Sequence, residues 1–134
     1  MRIISKPVTV NSVQFSKCAN KGTFTFRSSL EYKFVQLLEQ ASNVIQWSYE
    51  TVNINYFFPY DKKVHTYIID FAVQTKTGMI LVEIKPSSKL ILERQKSRDA
   101  KIDFAKNIAK WKAAQIFCNK HNYEFKIITE KDIK

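Results

Sequence analysis

The chain has 134 residues, 45% of them hydrophobic and 25% charged, enough for one domain with a real core and too few for two. Lys and Arg number 22 against 12 Asp and Glu, a net charge of +10, which favours a polyanionic partner, with nucleic acid ahead of an anionic membrane. Two glycines exclude a glycine-rich phosphate loop, two cysteines make no disulfide framework and point to a reducing, cytoplasmic setting, and no apolar run has the length of a membrane span.

Residues 1–26 read as an N-terminal arm, irregular or short-stranded, in which Val8 and Val10, then Phe24 and Phe26, alternate with polar residues. Ser28 to about Ala41 reads as a helix, since Leu30, Phe34, Leu37, Leu38 and Ala41 recur at helical spacing. Ser28-Ser29-Leu30-Glu31 fits a capping box in which Glu31 reaches back to the Ser28 amide. Glu31 also lies on the edge of the apolar stripe, where its carboxylate can point at a sheet, and the sequence leaves both roles open. Two apolar runs follow, Val44 to Trp47 and Val52 to Phe58, with Glu50 between them as a turn or surface residue. In the second run Val52, Ile54 and Tyr56 take one face and Asn53, Asn55 and Phe57 the other. Pro59 to Lys63 is a loop whose pair, Lys62 and Lys63, can meet a phosphate backbone.

The run from His65 to Phe71 and the run from Met79 to Pro86 flank Thr75-Lys76-Thr77-Gly78, which predicts a β-hairpin. A turn about Lys76 and Thr77 sets Asp70 opposite Glu83, and two carboxylates on adjacent strands repel unless a cation lies between them. Lys85, two residues past Glu83, leaves the same face of its strand. Tyr67, Ile69 and Phe71 are expected on one face of the first strand, with Ile68, Asp70 and Ala72 on the other. The plain alternative is a surface salt-bridge cluster on a hairpin.

From Lys85 to Lys112 there are nine basic and three acidic residues. Ser97 to Lys120 reads as one long helix with a stripe of Ile102, Ala105, Ala109, Ala113 and Ile116. Lys89, Arg94, Lys96, Arg98 and Lys101, with Lys106, Lys110 and Lys112 further along the helix, are candidates for the DNA backbone, against the reading of a solvated helix face. Tyr123 to Ile128 is a last strand, joining the sheet through a crossover and so parallel to a neighbour. The expected fold class is an α/β sandwich with a central mixed β-sheet flanked by helices.

The spacing Asp70-(x12)-Glu83-x-Lys85 resembles the core of the PD-(D/E)xK endonucleases, with Ile69 where that motif has proline. Taken with Arg27 to Glu31, Trp47 to Glu50, Tyr67 to Phe71, Val82 to Pro86 and the C-terminal Trp111 to Glu130 segment, residues 27–132 resemble the TnsA-type branch of that superfamily, and especially its small phage head-completion nucleases. The resemblance implies a restriction-endonuclease-like domain over 1–134 and a DNA endonuclease active site at Glu31, Asp70, Glu83 and Lys85. It further implies Mg²⁺, with Mn²⁺ as a substitute, held by Asp70, Glu83, the Ile84 carbonyl and Glu31. Implied partners are DNA, then a second copy of the chain or virion and portal proteins, in host cytoplasm or with the virion, and no membrane. Lys85 suits positioning water and stabilising phosphorane charge better than acting as a base, since carboxylates and a metal push its pKa in opposite directions. The alternative function is a non-catalytic DNA-binding or virion structural protein that keeps the nuclease fold.

Overall fold

The computed structural model describes residues 6–133; the first five residues of the expected arm lie outside them. β1 (Val8–Asn11) and β2 (Thr23–Phe26) form an antiparallel ribbon in which Val10 pairs with Phe24. Then come α1 (Ser29–Gln40), β3 (Val44–Phe58), β4 (Lys63–Thr75), β5 (Gly78–Ile84), two short 3-10 turns, α2 (Arg98–His121) and β6 (Glu124–Ile128). The four-stranded sheet has the order β3-β4-β5-β6, antiparallel up to β5, with β6 parallel to β5 after the α2 crossover. A parallel neighbour cannot be reached by a tight turn, so the long helix is the connection.

The sheet is covered on both faces. Val82 packs in a core with Leu30, Val35 and Leu38 of α1, and its neighbour Leu81 packs in a second core with Ala114 and Cys118 of α2. Adjacent strand residues point to opposite faces, so α1 and α2 lie on opposite sides. The ribbon belongs to the α1 side: Phe26 is fully buried, with its ring 4.9 Å from Tyr49 and 6.1 Å from Phe71 between centroids.

Four features of the sequence reading change. The two runs at 44–47 and 52–58 are one strand, β3, bent by a bulge between Tyr49 and Val52 where Glu50 has φ 57°. A bulge inserts residues without ending the strand, so apolar periodicity slips phase and resembles a break. In α1, Val35 is fully buried while Leu37 is 41% exposed. In α2, Ala114 and Cys118 face the sheet, whereas Ile116 is 66% exposed and Ala105 is exposed. Ile102, Ala109 and Ala113 of the expected stripe pack against that same core, so the stripe is displaced only at Ala105 and Ile116.

The hairpin register holds from Thr75↔Gly78 to Phe71↔Val82, as the turn at Lys76 and Thr77 requires. The shared face expected for Tyr67, Ile69 and Phe71 does not hold. Tyr67 and Ile69 join the α2 core and Phe71 joins the α1 core, so β4 changes sides at Asp70. That residue stands opposite the Glu50 bulge, because Tyr49 pairs with Phe71 and Val52 with Ile69. The twist of a bulged strand re-aims the side chain at the crossing point.

Candidate active site

Asp70, Glu83, Lys85 and Glu31 line one cavity of about 290 Å³, together with Arg27, Ile84 and Pro86. Four residues from α1, β4, β5 and the segment just after β5 thus meet where the strands of the hairpin part. Glu31, Asp70 and Glu83 are 4%, 6% and 5% exposed, which rules out a solvated salt-bridge cluster.

Glu31 fills both of the roles left open. Its Oε1 accepts the backbone N–H groups of Arg27 at 2.7 Å and Ser28 at 3.1 Å, while the Ser28 hydroxyl accepts the Glu31 N–H at 3.3 Å. The capping box therefore fixes the carboxylate at the cavity wall. The Tyr49 hydroxyl donates to Oε2 at 3.1 Å. Burial raises the Glu31 pKa, and the two amides and the Tyr49 hydroxyl counter it in part.

Asp70 is held by the backbone. Its Oδ2 accepts the Ile84 N–H at 2.8 Å, next to the last paired rung of the β4–β5 ladder. Burial first, then the charges of Glu83 and Glu31, push the Asp70 pKa well above the usual carboxylate range, against the pull of the Ile84 N–H and Lys85. Glu83 Oε1 accepts the Tyr67 hydroxyl at 2.7 Å, and Glu83 Oε2 faces Lys85 Nζ at 3.6 Å. Buried against two carboxylates, the Tyr67 phenol is pushed far above its ordinary pKa and acts only as a donor.

The donor set is hard oxygen, which suits Mg²⁺ or Mn²⁺ far better than Zn²⁺. Among the described residues, no three Asp, Glu, His or Cys side chains are already gathered at the spacing of a closed metal centre. What fits a cation is the electrostatics: three buried carboxylates line one cavity, and the charges of Glu83 and Glu31 raise the proton affinity of Asp70 until a positive charge enters. A Cys118–His121 ligand pair is not formed, since Cys118 is fully buried in the α2 core and His121 Nδ1 faces the Phe117 carbonyl at 2.9 Å.

The basic candidates lie along one path. Lys89 and Arg94 are exposed on the 3-10 turns that follow the cavity, and Lys96 is exposed just before α2. Arg98 and Lys101, in the first turn of α2, border a groove with Tyr60 of the β3–β4 loop, and Arg98 Nη2 donates to the Tyr60 hydroxyl at 2.9 Å. Lys62 and Lys63 are exposed at that same hairpin tip. Lys17 is occupied elsewhere: its Nζ donates to the Ala41 carbonyl at 2.7 Å, at the C-terminus of α1.

Sequence reasoning missed Tyr67 and Tyr49, which orient Glu83 and Glu31, and Arg27, which borders the cavity and pairs with Glu50. Lys110 of α2, one of the basic residues along that helix, has its Nζ 5.5 Å above the Tyr67 ring. The two tyrosines read as core aromatics in strands, and nothing in their spacing marks a hydroxyl aimed at an acid.

A mixed sheet between two helical layers, with buried acids and a lysine where its central strands part, has the architecture of a nuclease-like α/β sandwich. Residues 41–130 match the family described as TnsA-like endonuclease N terminal, and the chain belongs to that family. Over 121 residues it is 27% identical to the head completion nuclease of Enterobacteria phage T4, covering 82% of this chain and 81% of that protein. The family match spans Asp70, Glu83 and Lys85 and begins downstream of Glu31.

Proposed function

We propose that the protein is a Mg²⁺-dependent DNA endonuclease, a head-completion nuclease that acts on DNA ends during virion assembly. The observation that carries this reading is the convergence of Glu31, Asp70, Glu83 and Lys85 on one cavity from four separate places in the chain. Asp70, Glu83, the Ile84 carbonyl and Glu31 would hold the ion, with Mn²⁺ as a substitute. The ion would supply Lewis-acid neutralisation of charge at the scissile phosphate.

The chain's own groups do the rest. The Tyr67 hydroxyl takes one oxygen of Glu83 and turns the other toward Lys85. The capping-box amides take Oε1 of Glu31, leaving Oε2 with the Tyr49 hydroxyl and the cavity. The Ile84 N–H fixes Oδ2 of Asp70 and leaves Oδ1 for a ligand. Lys85, about a quarter exposed, orients the attacking water and stabilises negative charge as the phosphorane forms. Lys62, Lys63, Lys89, Arg94, Lys96, Arg98 and Lys101 hold the DNA backbone outside the cavity.

The test is nicking of supercoiled plasmid with Mg²⁺ or Mn²⁺, against EDTA. Cleavage by the wild-type protein that EDTA abolishes, and that Asp70→Asn and Glu83→Gln each lose, is expected. Cleavage that survives in Asp70→Asn rejects the site. DNA binding without cleavage under either metal favours a structural protein on a nuclease fold.

A further inference from the structure

Three cations of α2, Arg98, Lys106 and Lys110, successively eight and four residues apart, each meet an aromatic side chain of the β3–β4 hairpin. Arg98 reaches the Tyr60 hydroxyl, Lys106 Nζ lies 6.0 Å above the Phe58 ring, and Lys110 Nζ lies 5.5 Å above the Tyr67 ring. Tyr67 is the residue that holds Glu83, so the row ends at the candidate active site. From Arg98 to Lys110 the helix rises about 18 Å, with about 6 Å between Lys106 and Lys110.

Lys106 and Lys110 are the unusual members. Both are partly buried, and among the described residues neither has a carboxylate within ion-pairing distance. Cations are normally withdrawn from water only with a compensating charge. Here burial, then the nearby Lys85, lowers the proton affinity of Lys110, and Lys106 and Arg27 add to that repulsion, with Glu83 opposing it. The aromatic faces orient the two ammonium groups but leave their charges unneutralised. A polyanion laid along this row of cations supplies what the protein does not.

We propose that Lys106 and Lys110 are the inner half of a backbone track that grips one DNA strand by successive phosphates and delivers it to the cavity, with Lys110 on the phosphate nearest the carboxylates. The track rests on the endonuclease reading for its purpose, but its test is read without cleavage.

Binding of a short mixed-sequence duplex is followed by fluorescence anisotropy in EDTA across a salt series, for wild type, Lys106→Met, Lys110→Met, the double variant and Lys110→Arg. Methionine keeps the apolar stem on the ring and removes only the charge. Each single loss is expected to reduce the slope of log affinity against log salt by about 0.9, and the double loss by about 1.8. Lys110→Arg should keep the slope. In Mg²⁺, Lys110→Met should cut kcat/KM by roughly 10- to 100-fold, as losing a charged contact to the substrate does. An unchanged salt slope in the double variant, whatever its melting temperature, overturns the track. If the slope falls but the wild-type protein cuts nothing in Mg²⁺ or Mn²⁺, the track stands and the hydrolytic reading fails; an unchanged slope in a protein that cuts gives the reverse.

Discussion

Asp70 is the most conflicted residue of the molecule. It is buried beside Glu83 and Glu31, and its one strong compensation is the Ile84 N–H. Because its folded pKa is raised, the folded protein holds a proton that the unfolded chain gives up. The sign follows: stability is greatest below the ordinary carboxylate range and is lost as pH rises toward the raised folded value. Metal-free protein in EDTA should therefore melt at falling temperature as pH rises through the weakly acidic range. Asp70→Asn keeps an oxygen for the Ile84 N–H and removes the charge. It should flatten that profile and add about 1 kcal/mol or more at neutral pH, while lowering plasmid cleavage by roughly a thousandfold. An Asn variant less stable than wild type at pH 7 would mean that the carboxylates do not repel. Tyr67→Phe tests the adjacent contact. Freed from its 2.7 Å hydrogen bond, Glu83 loses its orientation, and kcat should fall by about tenfold with KM little changed; a change in KM alone would place Tyr67 in substrate binding instead. At this scale Asp70, Glu83 and Lys85 were readable from spacing and hairpin register, because both act within one local unit. Glu31 was readable as a cap, and only the packing of α1 against the sheet shows that its cap places it at the cavity. Lys110 was hidden inside a basic helix, where charge alone does not distinguish a solvated lysine from one turned inward.

Among the elements, the bulged strand β3 decides the site. Glu50 and Thr51 stand where β4 has only Asp70 between paired rungs, and at that rung β4 passes from the α2 core to the α1 core. Glu50 occupies the left-handed region, at φ 57°, and its carboxylate pairs with the exposed Arg27. An exposed ion pair is worth little, so the backbone shape is what matters here. Glu50→Gly should cost less than about 1 kcal/mol, since glycine accepts that φ freely. Glu50→Val, with a branched side chain at positive φ, should cost about 1–2 kcal/mol and slow cleavage by shifting Asp70. Urea unfolding separates the two, and equal losses for Gly and Val would show that the ion pair, not the bulge, is what Glu50 contributes. The bulge could not be read from sequence, because an inserted residue and a strand break shift apolar periodicity in the same way. The α2 stripe was right at Ile102, Ala109 and Ala113, which pack on the core, and missed that Ala114 and Cys118 are its fully buried positions while Ile116 stays at the surface.

Across the whole molecule, the order of elements and the parallel last strand were legible, since a long helix between strands leaves few routes. The overall charge of +10 was legible, and it favours a polyanionic partner. What composition could not convey is its arrangement, in which three buried acids face a cavity and basic residues lead away from it across the 3-10 turns and α2. Carboxylates from α1, β4 and β5 are proposed to act together on one divalent ion. The most direct measurement is Mn²⁺ binding, followed by loss of the free-ion electron paramagnetic resonance signal, in wild type, Glu31→Gln, Asp70→Asn and Glu83→Gln. Binding by the wild-type protein that each of the three variants weakens by about tenfold or more is the predicted result. Wild-type affinity retained in Asp70→Asn or Glu83→Gln, or no binding by any form, would contradict it.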